Sequence, residues 1–235
     1  MPTILDLGER VLAARASPPT PTIVAMAGPV SVGKSTLADG LAAALRGLGL
    51  LAEVVSTDGF LLSTAVLVER GLFWRKGFPE SYDTDALLDF LDAVRAAPEG
   101  LAVPGYSHVT YDVLPEPVRA LGPLDVLVLE GVNALSATRG SVDLSVYVHA
   151  AADLVEAWYV ERFRSLATDP PPGSFFERFV GLGPEGLDDV AHQTWVAVNL
   201  PNQREHIGPS RRFADVVVEK AAEHRIARII DAGAP

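Results

Sequence analysis

Short unbroken apolar runs alternate along this chain with stretches whose apolar positions recur every three or four residues. The first rhythm marks buried strands and the second amphipathic helices. Thr3 and Asp6 can form a capping box, and Ile4, Leu7, Val11 and Leu12 share one helical face, so residues 3–15 predict a short helix ended by Pro18-Pro19-Thr20-Pro21. Ile23-Val24-Ala25-Met26-Ala27 predicts a strand buried on both faces, followed by a glycine-bounded loop and an alanine- and leucine-rich helix to about Leu48. Ala52-Glu53-Val54-Val55-Ser56 predicts a second strand. It runs into Thr57-Asp58-Gly59 and a polar, aromatic loop to about Asp83, whose length alone suggests function.

Thr84 predicts the cap of a helix carrying Leu87, Leu88, Leu91 and Val94, with Pro98-Glu99-Gly100 as its stop. Further strands are expected over Asp125–Leu129, Val142–Val148, Val216–Val218 and Ile226–Ile230. Helices are expected over Ala152–Leu166 and Leu187–Val198, separated by Asp169-Pro170-Pro171-Pro172-Gly173, a stretch suited to a hinge. With no internal repeat or linker, this order predicts one α/β domain over residues 1–235. Its sheet is mostly parallel, with helices on both faces in three layers; residues 1–20 form an N-terminal helix and linker, and about 164–185 form a lid region.

Composition narrows the partners. The 235 residues are 49% hydrophobic and 21% charged, enough for a sizeable core. Nineteen basic against thirty acidic residues give a net charge of −11, which argues against nucleic acid and anionic membrane as partners. No cysteine is present, and neither a signal peptide nor a transmembrane stretch is read, so the expected location is cytoplasmic. Only Lys34, Lys76 and Lys220 represent lysine, which makes each more informative.

Lys34 stands in Gly28-Pro29-Val30-Ser31-Val32-Gly33-Lys34-Ser35, a G-x-x-x-x-G-K-[ST] phosphate loop placed between the first strand and its helix. Such a loop turns backbone N–H groups inward as an anion nest at a helix N-terminus. Gly28, Ser31, Val32, Gly33, Lys34, Ser35 and Thr36 are the expected ATP contacts. Lys34 reaches the β/γ-phosphates and Ser35 ligates Mg²⁺. No lysine begins an Asn-Lys-x-Asp guanine reader, so an ATPase, a metabolite kinase or a non-catalytic nucleotide-binding module remains. In an open α/β sheet the residues beyond the strand ends face the ligand, which singles out Asp58 as a proton acceptor and Glu130 as a group that orients magnesium-bound water or substrate.

Read together, seven segments resemble bacterial type I pantothenate kinases: GPVSVGKST (28–36), TDGFL (57–61), RGLFWRKGFPESYD (70–83), GYSHVTYDV (105–113), LEGVNAL (129–135), WYVERF (158–163) and NQREHIGPSR (202–211). GFPESYD and YSHVTYD are far more specific than the phosphate loop. The resemblance implies ATP-dependent phosphorylation of the primary hydroxyl of pantothenate, with ATP and Mg²⁺ as cofactors and a homodimer as the assembly. It implies that Asp58 is the base and that Tyr106, His108, Tyr111, Tyr159, Arg162 and Asn199 surround pantothenate. Tyr159 and Arg162 lie three apart on one helix, so both can reach one pocket. Two rivals stand beside this reading: a kinase of the same fold acting on a nucleoside, sugar or other small alcohol, and a module that binds ATP without transfer.

Overall fold

The computed structural model describes residues 2–15 and 17–232; Met1, Ala16 and residues 233–235, at the margins of the first expected helix and of the chain, lie outside the described residues. The first helix, α1 (Ile4–Ala13), is capped as expected: the Asp6 carboxylate accepts the Thr3 N–H at 2.5 Å and the Thr3 hydroxyl at 3.1 Å. These bonds hold the Asp6 carboxyl below its ordinary range. Strand β1 (Thr22–Ala27) leads through the phosphate loop into α2 (Lys34–Gly47), and β2 (Ala52–Ser56) leads into the loop that carries Asp58.

That loop is not structureless. It contains α3 (Thr64–Glu69) and three 3-10 turns, Thr57–Phe60, Phe73–Arg75 and Pro79–Ser81, before α4 (Thr84–Ala96). Asp83, not Thr84, caps α4: its carboxylate accepts the Ala86 N–H at 2.9 Å. An aspartate one residue earlier reaches the free N–H groups of the first turn, so Thr84 is already inside the helix.

Four two-residue strands follow, β3 (Ala102–Val103), β4 (Tyr106–Ser107), β5 (Asp112–Val113) and β6 (Arg119–Ala120), pairing as two small antiparallel ribbons, β3 with β6 and β4 with β5. The chain continues through β7 (Val126–Glu130), the short α5 (Ala134–Ala137), β8 (Leu144–His149), α6 (Ala152–Thr168) and α7 (Pro184–Thr194). It ends in β9 (Val216–Lys220) and β10 (Ile226–Asp231).

The six long strands form one sheet in the order β10-β9-β8-β1-β7-β2, parallel except for β10, which returns antiparallel along β9. Strand residues alternate between two cores. Val24, Met26, Val126, Val128, Val146 and Val148 point toward α1, α2 and Val155 of α6. Ile23, Leu127 and Leu129 point toward α4, while Ala25, Tyr147 and Val217 point toward α5 and Ile207. This is the expected three-layer α/β architecture. No helix among the described residues is long and apolar enough to cross a membrane.

The last expected helix does not stop at Val198. It continues from α7 through π turns at Trp195–Asn199 and Gln203–Ile207 and a 3-10 turn at Arg211–Phe213. The expected lid region is the end of α6, a loop with a 3-10 turn at Phe175–Phe179, and the start of α7. It is packed, with Phe163, Ala167, Phe176, Leu187 and Ala191 as a core of their own.

Candidate active site

Parallel pairing brings Met26, Glu130 and Ser56 into register at the carboxyl ends of β1, β7 and β2. Beyond that edge the loops enclose a cavity of about 590 Å³, within the size range of small-molecule sites. The backbone there admits no bulk at two points. A Cβ on Gly28 would meet the Val148 carbonyl oxygen at 2.4 Å, and one on Gly131 would meet the Thr57 hydroxyl oxygen at 1.8 Å.

The phosphate loop forms one wall. Ser31 and Gly33 adopt left-handed backbone conformations, with φ of 60° and 83°. The Lys34 amine is buried and donates to the Pro29 carbonyl at 2.9 Å; burial pushes it below its ordinary range, against the opposing pull of Glu130 and Asp58. The Ser35 hydroxyl donates to Glu130 Oε1 at 3.1 Å. Burial raises the Glu130 carboxyl, while Lys34 holds it back. The buried Ser31 hydroxyl has no partner within the protein. A loop of inward donors with an orphaned hydroxyl fits a phosphate chain, and a hydroxyl beside a carboxylate is a hard-oxygen pair that fits Mg²⁺.

Opposite this wall, Asp58 is fixed from several sides. Its N–H donates to the Ser56 hydroxyl at 3.3 Å, and its neighbour Thr57 is buried with its hydroxyl on Asn133 Oδ1 at 2.7 Å. The Tyr82 hydroxyl donates to Asp58 Oδ1 at 3.4 Å.

The third wall is aromatic. The β4–β5 hairpin presents Tyr106, His108 and Tyr111, with the Tyr106 ring 5.2 Å from His108 and 6.2 Å from Tyr111. Burial pushes the Tyr111 phenol up to about 12 and the Tyr106 phenol higher still, so both are hydroxyl donors at neutral pH. From α6, Tyr159 lines the cavity, its phenol pushed up by burial while the neighbouring Asn199 and Thr194 hold it back. Arg162, also on α6, lines the same cavity from an exposed position.

All six expected substrate residues therefore line the cavity that also holds Lys34, Ser35, Asp58 and Glu130. Pro29, Val30 and Ser31 of the phosphate loop line it too, whereas Val32 and Thr36 present no side chain to it. Val32 is packed in the core beneath the loop, and Thr36 is exposed on α2, so only their backbone belongs to the nest.

Comparison with known proteins agrees with this geometry. The phosphoribulokinase/uridine kinase family model matches residues 23–165. A pantothenate kinase of Paenarthrobacter aurescens is 40% identical over 228 residues, 90% of this chain and 70% of that protein. One of Streptococcus pneumoniae is 35% identical over 236 residues, 96% of this chain and 77% of that protein.

The chain belongs to the phosphoribulokinase/uridine kinase family.

A protein of Silicibacter sp. TM1040, assigned as a fructose transport system kinase, superposes with a TM-score of 0.73 at 28% identity, covering 87% of this chain and 93% of that one. The fold is thus that of the P-loop kinases, with the phosphate loop following β1.

This family member carries further residues around the site, beyond the expected catalytic, ATP and substrate contacts. Lys220, at the end of β9, donates to the Gly33 carbonyl at 3.3 Å, and burial lowers its amine. The His224 ring stacks on Trp158 at 3.9 Å and reaches the Val32 carbonyl at 3.4 Å. Both back the phosphate loop from almost two hundred residues away. Lys76 donates to the Thr64 hydroxyl at 2.9 Å and to the Tyr111 carbonyl at 2.5 Å while lying 4.5 Å from the Tyr111 ring centroid. Phe175, Phe176 and Phe179 form the cavity's apolar roof.

Proposed function

We propose that this chain is a pantothenate kinase, moving the γ-phosphoryl group of ATP to the primary hydroxyl of pantothenate. The observation that carries this reading is a single cavity joining the phosphate loop and Asp58 to Tyr106, His108, Tyr111, Tyr159, Arg162 and Asn199. Relatives named pantothenate kinase share 35–40% identity over most of the chain. Pantothenate is a small acid with an amide and two hydroxyls. It calls for a cationic group, neutral hydrogen-bond donors and acceptors, and an aromatic wall, which Arg162, Asn199 and the tyrosines supply.

In the reaction Asp58 takes the proton of the acceptor hydroxyl, the freed oxygen bonds to the γ-phosphorus, and the bond to the β-phosphate oxygen breaks to release ADP. Lys34 and the loop N–H groups neutralise charge on the transferred group. Ser35 and Glu130 are the residues to hold Mg²⁺, which supplies further charge neutralisation. A homodimer and a cytoplasmic location belong to the same reading; sedimentation checks the first.

The test is a coupled ADP-release assay with MgATP and pantothenate, run beside uridine and fructose, with the product identified by mass spectrometry. Phosphopantothenate formation with a sub-millimolar KM is expected, on the scale ordinary for enzymes. Turnover of uridine or fructose without pantothenate would reassign the acceptor, and ATP binding without transfer to any of the three would reduce the chain to a nucleotide-binding module.

A further inference from the structure

The wall around Asp58 holds one buried ionisable side chain that the reaction above does not use. Tyr82 is 7% exposed, at the end of the loop between α3 and α4, and lines the cavity. Two backbone hydrogen bonds set its place. Leu62 N–H donates to the Ser81 carbonyl at 2.8 Å and Asp83 N–H donates to the Phe60 carbonyl at 2.8 Å, which together make an antiparallel bridge of Leu61 with Tyr82. The segment carrying Tyr82 is thus laced onto the segment that follows Asp58. A further brace comes from the far side of the cavity, where Asn202 donates to the Gly77 carbonyl at 2.8 Å and Gly77 N–H donates to the Ser81 hydroxyl at 2.9 Å.

We propose that Tyr82 is a positioning residue for Asp58, its hydroxyl donating to Oδ1 so that Oδ2 is the oxygen turned to the acceptor hydroxyl. The inference rests on Asp58 being the base. A carboxylate on a short side chain can rotate about its last bond, and either oxygen can then meet the substrate. A donor fixed at one oxygen removes that freedom before substrate arrives, which is the economy of a preorganised site. Burial, with Asp58 adding to it, keeps the phenol protonated far into the alkaline range, so it donates throughout the working pH of the protein. The Thr57 hydroxyl also lies close to the phenol and pulls its value the other way, but that hydroxyl is committed to Asn133 Oδ1 as a donor at 2.7 Å.

The test is a double-mutant cycle of Tyr82→Phe and Asp58→Asn, read as kcat and KM, with melting temperature and ADP affinity as checks on the fold. If Tyr82 acts through Asp58, Tyr82→Phe lowers kcat about tenfold and leaves KM for MgATP within about twofold. In the Asp58→Asn background it then has no further effect. An equal loss in both backgrounds, or no loss in the native one, overturns the proposal. Full activity in Asp58→Asn alone would instead overturn the assignment of the base.

Should Tyr82→Phe lose its fold, the contact is read from the other side with ζ-¹³C-labelled tyrosine in the native protein and in Asp58→Ala. Among the five tyrosine signals, that of Tyr82 moves in Asp58→Ala while that of Tyr147, buried in the opposite core, does not. An unmoved Tyr82 signal overturns the proposal.

Discussion

The backbone N–H of Phe175 donates to the carbonyl of Val109 at 2.7 Å, fastening the loop between α6 and α7 to the tip of the β4–β5 hairpin. The Phe175 ring stacks on Tyr111 at 4.4 Å, so the roof and the aromatic wall of the cavity meet as one surface. Phe175→Ala keeps the backbone bond but removes the stack. An aromatic contact of about 1–1.5 kcal/mol corresponds to a rise of roughly tenfold in KM for pantothenate. KM for MgATP, read in the same steady-state assay, stays within about twofold. A change confined to MgATP would place Phe175 outside the acceptor pocket.

Asp58→Asn keeps shape and removes the proton acceptor. The expected loss in kcat is ~10²–10⁴, with calorimetric ADP affinity nearly unchanged. Normal turnover would remove Asp58 from the chemistry.

The strut from Thr57 to Asn133 is buried at both ends. Thr57→Val leaves the Asn133 amide oxygen without its donor, a loss of about 1–3 kcal/mol. For a chain of this size that lowers Tm by roughly 3–10 °C in a calorimetric scan. Gly131→Ala is expected to be worse, because its Cβ would overlap the Thr57 hydroxyl.

The lowered Lys34 amine makes nucleotide binding pH-dependent. Only the protonated amine attracts phosphate, and a lowered value means the free protein gives up that proton earlier on the alkaline side. KM for MgATP should therefore rise as pH climbs toward and through the free-protein value of Lys34, at a pH below the ordinary lysine range. A KM independent of pH up to about 10, near the ordinary lysine range, would show that the amine stays charged throughout.

Local signals made part of this molecule legible. The phosphate loop, Asp58 and Glu130 announce themselves because strand, turn and helix are consecutive in sequence, and a strand end is where an open sheet faces its ligand. Val24 and Ile23, neighbours in one apolar run, point to opposite cores, which is why the run reads as a strand buried on both faces.

The C-terminal helical stretch was not legible for a definite reason. A proline ordinarily ends a helix, yet the backbone stays helical through Pro201 and Pro209, each of which follows a π turn, where the hydrogen-bond spacing has already been shifted. Tyr82 was visible inside GFPESYD, but its partner became apparent only when the chain folded back on Phe60 and Leu62. Lys220 and His224 gave no local sign, because they reach the phosphate loop from strand β9 and the turn after it.

That last contact bears on how the protein is made. The phosphate loop leaves the ribosome early, but Lys220, which closes on Gly33 from behind, is synthesised 187 residues later. At about 5–20 residues per second the nascent chain spends roughly ten to forty seconds with the loop made and its rear brace still missing. The rear face of the phosphate loop is thereby completed late in biogenesis, only in chains whose β9 has already docked.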